Sequence, residues 1–309
     1  MRSSLYKLAR YDKLFSLSKL QEMTKKYVVC PYYHLVSDAY QHFVSPLYKV
    51  KTIDEFQRDL DWLQDNFKPI KWTEIDECEN NQTPAFCLSF DDGLREVYDV
   101  IFPILKQRNI PALCFINSDF IGNNDMFYRY KAAYLLGVAK NSGYSQLIPK
   151  INSITFETKD MLNQLALCLK IDFDKVMSDY KPYMDLYQLN ELKKHGWDFG
   201  SHSKNHPHYD KISLKEQLIQ TSESDAFLLK NNISDSNLFA FPFGQENLSK
   251  ERIIQETNTH NAVFGTANLR RDIPNFYNRI WMENTNSSAK DIIKGEYFRE
   301  YIHQQIDDK

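Results

Sequence analysis

Two adjacent carboxylates, Asp91 and Asp92, end a short apolar run, Ala85-Phe86-Cys87-Leu88-Ser89-Phe90, and Gly93 follows at once. Neighbouring carboxylates repel, so a metal ion or a division of acid and base labour is a reason to keep them. Capping the helix that follows is the plainer alternative. Much later, His202 and His206 stand four apart, after Trp197 and Phe199 and before Pro207. Imidazole and carboxylate together suit a first-row divalent cation. Alone, a His-x-x-x-His pair says little. With both features placed after strand-like runs, three donors and a spare carboxylate can meet at one mouth.

The elements that must position them can be read from hydrophobic pattern. Ala85–Phe90 reads as a strand buried on both faces, a helical pattern runs from Leu94 to Lys106, and Ala112–Ile116 reads as a second strand. A strand–helix–strand unit implies a parallel sheet. Upstream, Tyr27–Cys30 reads as a strand leading to Tyr33 and His34. Thr52 and Glu55 form a capping box ahead of a helical stripe of Phe56, Leu60, Leu63 and Phe67. Further helices are expected from Asp185 to near Gly196 and from Ser213 to Lys230, and strands at Phe239–Phe241, Ala262–Thr266 and Ile280–Trp281. Between Gly122 and Asp185 the alternation is lost. Helical pieces at Phe127–Val138 and Lys159–Lys170 read as an insertion or lid beside the site. Ser4–Lys26 reads as an outer helix with a stripe of Leu5, Leu8, Tyr11, Leu14, Phe15 and Leu17. The expected organisation is an N-terminal helical segment over residues 1–26 and a main body over 27–309, with the helical insertion at about 122–185.

Composition narrows the function classes. At 309 residues, 42% hydrophobic and 14% aromatic, the chain has ample material for a folded α/β core. A formal net charge of -3 without a basic cluster gives no electrostatic case for nucleic acid. Five cysteines, Cys30, Cys78, Cys87, Cys114 and Cys168, show no paired spacing and suit a reducing compartment. Neither a signal peptide nor a bilayer-spanning run is recognisable, so the expectation is a cytoplasmic protein, with attachment at a membrane surface as the minor variant.

Ser89-Phe90-Asp91-Asp92-Gly93 and His202-Ser203-x-x-His206 resemble the first two motifs of the polysaccharide deacetylases, carbohydrate esterase family 4 (the NodB-homology domain). The run Lys194–Ser201 is similar to that family's approach to its His motif. The resemblance extends from about Tyr27 to Trp281. It implies an α/β fold, a distorted (β/α)7-8 barrel, here with the helical insertion. It also implies a metal held by Asp92, His202 and His206, with Asp91 as general base. Tyr33-His34 is similar to the N-terminal motif of a permuted branch that includes poly-N-acetylglucosamine deacetylases. There the His is the general acid in place of a late Leu-x-His, and no convincing Leu-x-His stands late in this chain. The third motif, commonly Arg-x-Pro-Tyr-Gly, corresponds to Ala240-Phe241-Pro242-Phe243-Gly244, so the usual Arg partner of the catalytic Asp is missing. Arg279 is the candidate substitute, and the backbone around Pro242, Phe243 and Gly244 the candidate oxyanion site.

The implied reaction is hydrolysis of an N-acetyl group on an amino-sugar glycan or glycan precursor. The cofactor would be one divalent cation, zinc first, with cobalt, nickel or iron accepted by the same donors. The rival readings are an amidase for a small non-sugar amide, a non-catalytic saccharide-binding relative and a non-haem iron oxygenase. That last class usually spaces its His and acid ligands differently. Of the other histidines, His208 reads as a solvent-facing loop residue, His260 as part of a polar turn and His195 as a helix-end contact, while His42 and His303 have no motif around them. Oligomeric state is not legible in the pattern.

Overall fold

Eight short strands carry the architecture: β1 Pro31–Tyr33, β2 Leu88–Phe90, β3 Ala112–Ile116, β4 Asp198–Ser201, β5 Leu238–Ala240, β6 Ala262–Gly265, β7 Phe276–Asn278 and β8 Ile280–Trp281. They form one sheet in the order β8-β1-β2-β3-β4-β5-β6-β7, and every pairing is parallel. This computed structural model describes residues 14–266, 268–269, 271–283 and 286–307, with Ala9. β7 and β8 are two pieces of one run, parted only at Arg279. β7 pairs with β6, and β8 pairs with β1. Arg279 N–H bonds Gly265 O at 2.7 Å and Ile280 N–H bonds Cys30 O at 2.8 Å. The chain therefore changes neighbours at Arg279, and the sheet closes into the expected distorted (β/α) barrel.

Side chains alternate along each strand, so each strand divides between barrel interior and outer shell. One cluster gathers Cys30, Cys87, Leu113, Phe115, Leu238, Ala240, Ala262, Phe264 and Tyr277. Their alternate neighbours Tyr33, Leu88, Phe90, Cys114, Ile116 and Phe199 pack instead with the surrounding helices. These outer helices include Ile53–Asn66, Leu186–Lys194, Leu214–Lys230, Lys250–Thr259 and Ala289–Asp307. Gly200 lies in the interior, where an added Cβ would come within 2.6 Å of the Phe115 ring and 2.8 Å of Leu238 Cβ. A bulky Phe115 and a bare Gly200 on adjacent strands fill one layer together.

Several local expectations are met by named contacts. Thr52 caps Ile53–Asn66 in a full capping box, and Phe56, Leu60, Leu63 and Phe67 are buried. Asp185 and Ser213 cap the helices that follow them. Between β3 and Leu186, the helices Tyr128–Asn141, Ile148–Asn152, Met161–Cys168 and Phe173–Tyr180 contribute to a separate apolar cluster that includes Leu135, Ile151, Leu162 and Leu165.

Others are corrected. The barrel strand is Pro31–Tyr33 rather than Tyr27–Cys30; Val29 instead exchanges backbone bonds with Ala85 and Cys87 at 3.0 and 2.9 Å. Leu94 opens no helix but bridges to Tyr183. A π-helical turn, Val97–Ile101, precedes the α-helix Phe102–Arg108. Pro103, near the start of that α-helix, has no N–H to give the preceding turn, which breaks the regular bonding there. The N-terminal stripe is interrupted at Ser16, whose extended backbone caps a separate helix, Leu17–Thr24; Leu5, Leu8 and Tyr11 lie outside the described residues.

Gly200→Ala is expected to destabilise the barrel by about 1–3 kcal/mol through overpacking against Phe115. The check is the urea unfolding midpoint, which should fall with an unchanged slope.

Candidate active site

Because interior positions alternate, the residues just beyond the strand ends inherit the same inward direction. Ser89 leads to Asp91, Gly200 to His202, Tyr32 to His34, and Tyr277 to Arg279 and Trp281. All of the terminal members of these series line one cavity at the carboxyl end of the barrel, together with Asp92, His206, Phe243 and Gly244.

Asp91 is 2% exposed and lies against Arg279 in a two-pronged ion pair, Nη1 to Oδ1 at 2.7 Å and Nη2 to Oδ2 at 2.9 Å. Nη1 also donates to Ser89 Oγ at 3.2 Å. The guanidinium lies 4.4 Å from the Tyr32 ring centroid and 4.9 Å from that of Phe115. Burial alone would raise the pKa of Asp91, but Arg279, with His202 and His34, holds it below the ordinary carboxylate value. The partner of Asp91 thus comes from the closing strand, at Arg279, and not from Ala240.

Asp92, His202 and His206 bring one donor atom each within 4.8 Å of one another. His206 Nε2 is 3.4 Å, and His202 Nε2 3.8 Å, from Asp92 Oδ1. His202 Nδ1 donates to Ala240 O at 2.8 Å, which turns the Nε2 lone pair toward the cluster. Burial pushes the His202 pKa down to about 4 and that of His206 to about 3, so both rings are neutral. Asp92 Oδ1 is buried without a hydrogen-bond partner. A buried carboxylate oxygen left bare beside two neutral imidazoles is a donor set for a divalent cation. The turn that presents it is tense: Asp92 has φ 71° and His206 φ 59°. Both are left-handed conformations that non-glycine residues seldom adopt without a constraint.

Across the cavity, His34 Nδ1 lies 2.6 Å from Glu283 Oε2, and the same carboxylate accepts from the backbone N–H groups of His34 and Leu35 and from Trp281 Nε1. Burial would lower the His34 pKa, but Glu283, with Asp92 and Asp91, pushes it up to about 9. The cavity therefore holds an ionised acid and a protonated base.

Phe243 and Gly244 reach the cavity, whereas Pro242 is buried behind them and does not line it. Gly244, at φ 101°, would place a Cβ 2.3 Å from Thr266 Oγ1, so only glycine fits. Its N–H bonds Phe241 O at 3.3 Å, while no protein group accepts from Phe243 N–H among the described residues. His208 is half-buried, with one face of its ring stacked on Phe243 at 3.5 Å and 4°. His260 is not in an open turn but buried between Asp225 and Glu256 at 3.2 and 3.3 Å, away from the site. His195 does contact its helix end, with Nδ1 2.9 Å from Glu191 O.

Tyr48, Tyr130 and Trp281 of the cavity wall, and Glu283 buried against His34, carry no signal of their own in the sequence. Trp281 and Glu283 follow Arg279 at strand spacing, and that period is the one clue to them. Tyr48 comes from a loop and Tyr130 from the first turn of Tyr128–Asn141, where no local pattern marks them.

Fold and site define the class: a (β/α) barrel with three clustered donors, Asp92, His202 and His206, that could hold a metal ion at its carboxyl end. The family model described as polysaccharide deacetylase matches residues 79–262, and the chain belongs to that family. Among curated proteins no sequence match was found. The Streptococcus pyogenes deacetylase PplD, solved in complex with acetate, superposes with a TM-score of 0.57 at 16% identity, over 87% of this chain and 98% of that one. IcaB from Ammonifex degensii gives 0.57 at 18%, over 88% and 97%. A de-N-acetylase from Aggregatibacter actinomycetemcomitans gives 0.54 at 18%, over 85% and 97%.

Arg279→Met is expected to cost about 3–5 kcal/mol, because it strands a buried carboxylate. Adding Asp91→Asn to that variant should restore part of the loss, and urea unfolding of the two singles and the double measures the coupling.

Proposed function

We propose that this protein is a metal-dependent hydrolase that removes N-acetyl groups from an amino-sugar glycan or glycan precursor. The observation that carries the reading is the opposite protonation of two groups in one cavity. Asp91 is kept ionised by Arg279 and His34 kept protonated by Glu283, on either side of a three-donor cluster. Such a pair is what acid–base hydrolysis of an amide requires. Family membership supports the acetylated sugar as substrate, and two of the structural neighbours described above are themselves a deacetylase and a de-N-acetylase.

A divalent cation held by Asp92, His202 and His206 would supply Lewis acidity, lowering the pKa of water and polarising the amide carbonyl. Zinc is the first choice for this donor set, ahead of cobalt, nickel and iron. Asp91 accepts the proton of the attacking water. It stays off the ligand set because both of its oxygens are bonded to Arg279. The Phe243 N–H is the donor available to the developing oxyanion. His34 delivers its proton to the departing nitrogen, and Glu283 stabilises the imidazolium until it does. The products are acetate and a free amine. Phe127 and Phe243, with rings 4.5 and 4.6 Å from His206, exclude bulk water from the ligand side. Entry of His34 from β1 matches the permuted branch, which makes poly-N-acetylglucosamine and its oligomers the first substrates to try. Five unpaired cysteines suit action in a reducing compartment.

Metal-stripped protein reloaded with zinc or cobalt is expected to release acetate from N-acetylglucosamine oligomers or from nucleotide- or lipid-linked N-acetyl sugars. Asp91→Asn should keep the metal and lose about 10²–10⁴-fold in kcat/KM. Stoichiometric metal binding with no acetate from any of these substrates would sink the glycan reading.

The pH profile tests His34. Its raised pKa means that the protonated form, and the stability it gains from Glu283, persist below the free-histidine value of 6.5 and are lost as pH rises through about 9. The alkaline limb of kcat/KM should therefore lie above the ordinary histidine range. In Glu283→Gln it should move to lower pH.

A further inference from the structure

We propose that Tyr130, carried by the helical segment between β3 and Leu186, is a positioning residue that selects which oxygen of Asp92 meets the metal. Its hydroxyl donates to Asp92 Oδ2 at 2.5 Å, deep in the site, where Tyr130 is 1% exposed. The other oxygen, Oδ1, is the buried atom with no hydrogen-bond partner and the one that faces His206 and His202. One oxygen is thereby tied back and the other left free, which fixes the rotation of the carboxylate and makes it a one-oxygen ligand.

The direction of the bond is set by chemistry. An ionised carboxylate only accepts, so Tyr130 must donate its single proton to it. Tyr48, whose hydroxyl lies 3.1 Å from that of Tyr130, must then donate to the Tyr130 oxygen. The result is a chain running one way, Tyr48 to Tyr130 to Asp92, in which each bond polarises the next. Tyr48 in turn packs against His34 and Trp281, with ring centroids 4.9 and 5.9 Å away. The start of the helix is anchored on both sides. Phe127 N–H bonds Tyr183 Oη at 3.1 Å, and the Phe127 ring lies 5.0 Å from that of Tyr130 and 4.5 Å from that of His206. One helical turn thus braces a carboxylate ligand with a hydroxyl and an imidazole ligand with a ring. The segment that covers the barrel mouth is also part of the metal site.

This inference rests on the metal site proposed above, so the test reads metal binding directly. Zinc and cobalt affinities of wild type, Tyr130→Phe and Tyr48→Phe are measured by competition with a chromophoric chelator. The visible absorption of the cobalt forms and the melting of the metal-free forms are recorded alongside. Tyr130→Phe keeps the ring and removes only the hydroxyl. It is expected to weaken metal binding about 10–100-fold and to alter the cobalt spectrum, while its metal-free form still unfolds cooperatively and melts only modestly lower, because Asp92 loses a hydrogen bond. Tyr48→Phe should shift affinity in the same direction by less. Wild-type affinity and an unchanged cobalt spectrum in Tyr130→Phe would overturn the inference and leave the metal site standing. Failure of the wild type to bind either ion would overturn both. Should Tyr130→Phe not fold, an unchanged affinity in Tyr48→Phe overturns the inference by itself.

Discussion

The ion pair between Asp91 and Arg279 is the interaction on which the rest of this structure turns. It joins the second strand of the barrel to the last, at the one residue where the chain leaves β7 and begins β8. Two charges so deeply buried are costly unless their geometry is good. Here two parallel hydrogen bonds, a serine hydroxyl and two aromatic faces hold the two terminal nitrogens of the guanidinium, while Nε is buried without a partner. Closure of the barrel consequently supplies the counter-charge that keeps the buried carboxylate ionised. If the last strand slipped by a residue, Arg279 would face outward and Asp91 would lose its counter-charge.

From that constraint the alternation of the strands does the remaining placement. Cys87, Ser89 and Asp91, or Cys30, Tyr32 and His34, move from apolar interior to reactive mouth in steps of two residues. Small interior residues such as Ala240, Ala262 and Gly200 make room for Phe115 and Phe264, which fill the barrel beneath the site. The floor of the cavity is therefore packed with apolar side chains, and the buried polar groups stand on top of it. Strained backbone also marks the turns that present them, at Asp92, His206 and Phe243.

The electrostatic design separates two titrating groups with separate partners. Arg279 depresses Asp91, and Glu283 raises His34, although both groups are buried in the same cavity. Burial by itself would have driven both toward neutrality. Paired counter-charges, one from the closing strand and one just beyond it, reverse that tendency at both places. Residues 279 to 283 thus serve the acid and the base alike.

Much of this is legible in the linear chain. The strand runs around residues 88–90 and 112–116, the capping box at Thr52 and the acid and His motifs are local features. Period-two and period-3.6 patterns report such features directly, and the donors Asp92, His202 and His206 fall together as their spacing implies. The start of the first strand and of the helix after Gly93 depart from the pattern, because pairing partners and Pro103 decide such ends rather than apolar content. What tertiary structure alone decided were the partners. Arg279 stands 188 residues from Asp91, Glu283 249 from His34, and Tyr130 38 from Asp92. No local pattern encodes contacts across such separations. Sequence by itself determined which groups could react. Closure of the barrel decided which counter-charge each one would meet, because only closure brings distant strands close enough for one buried group to hold the ionisation of another.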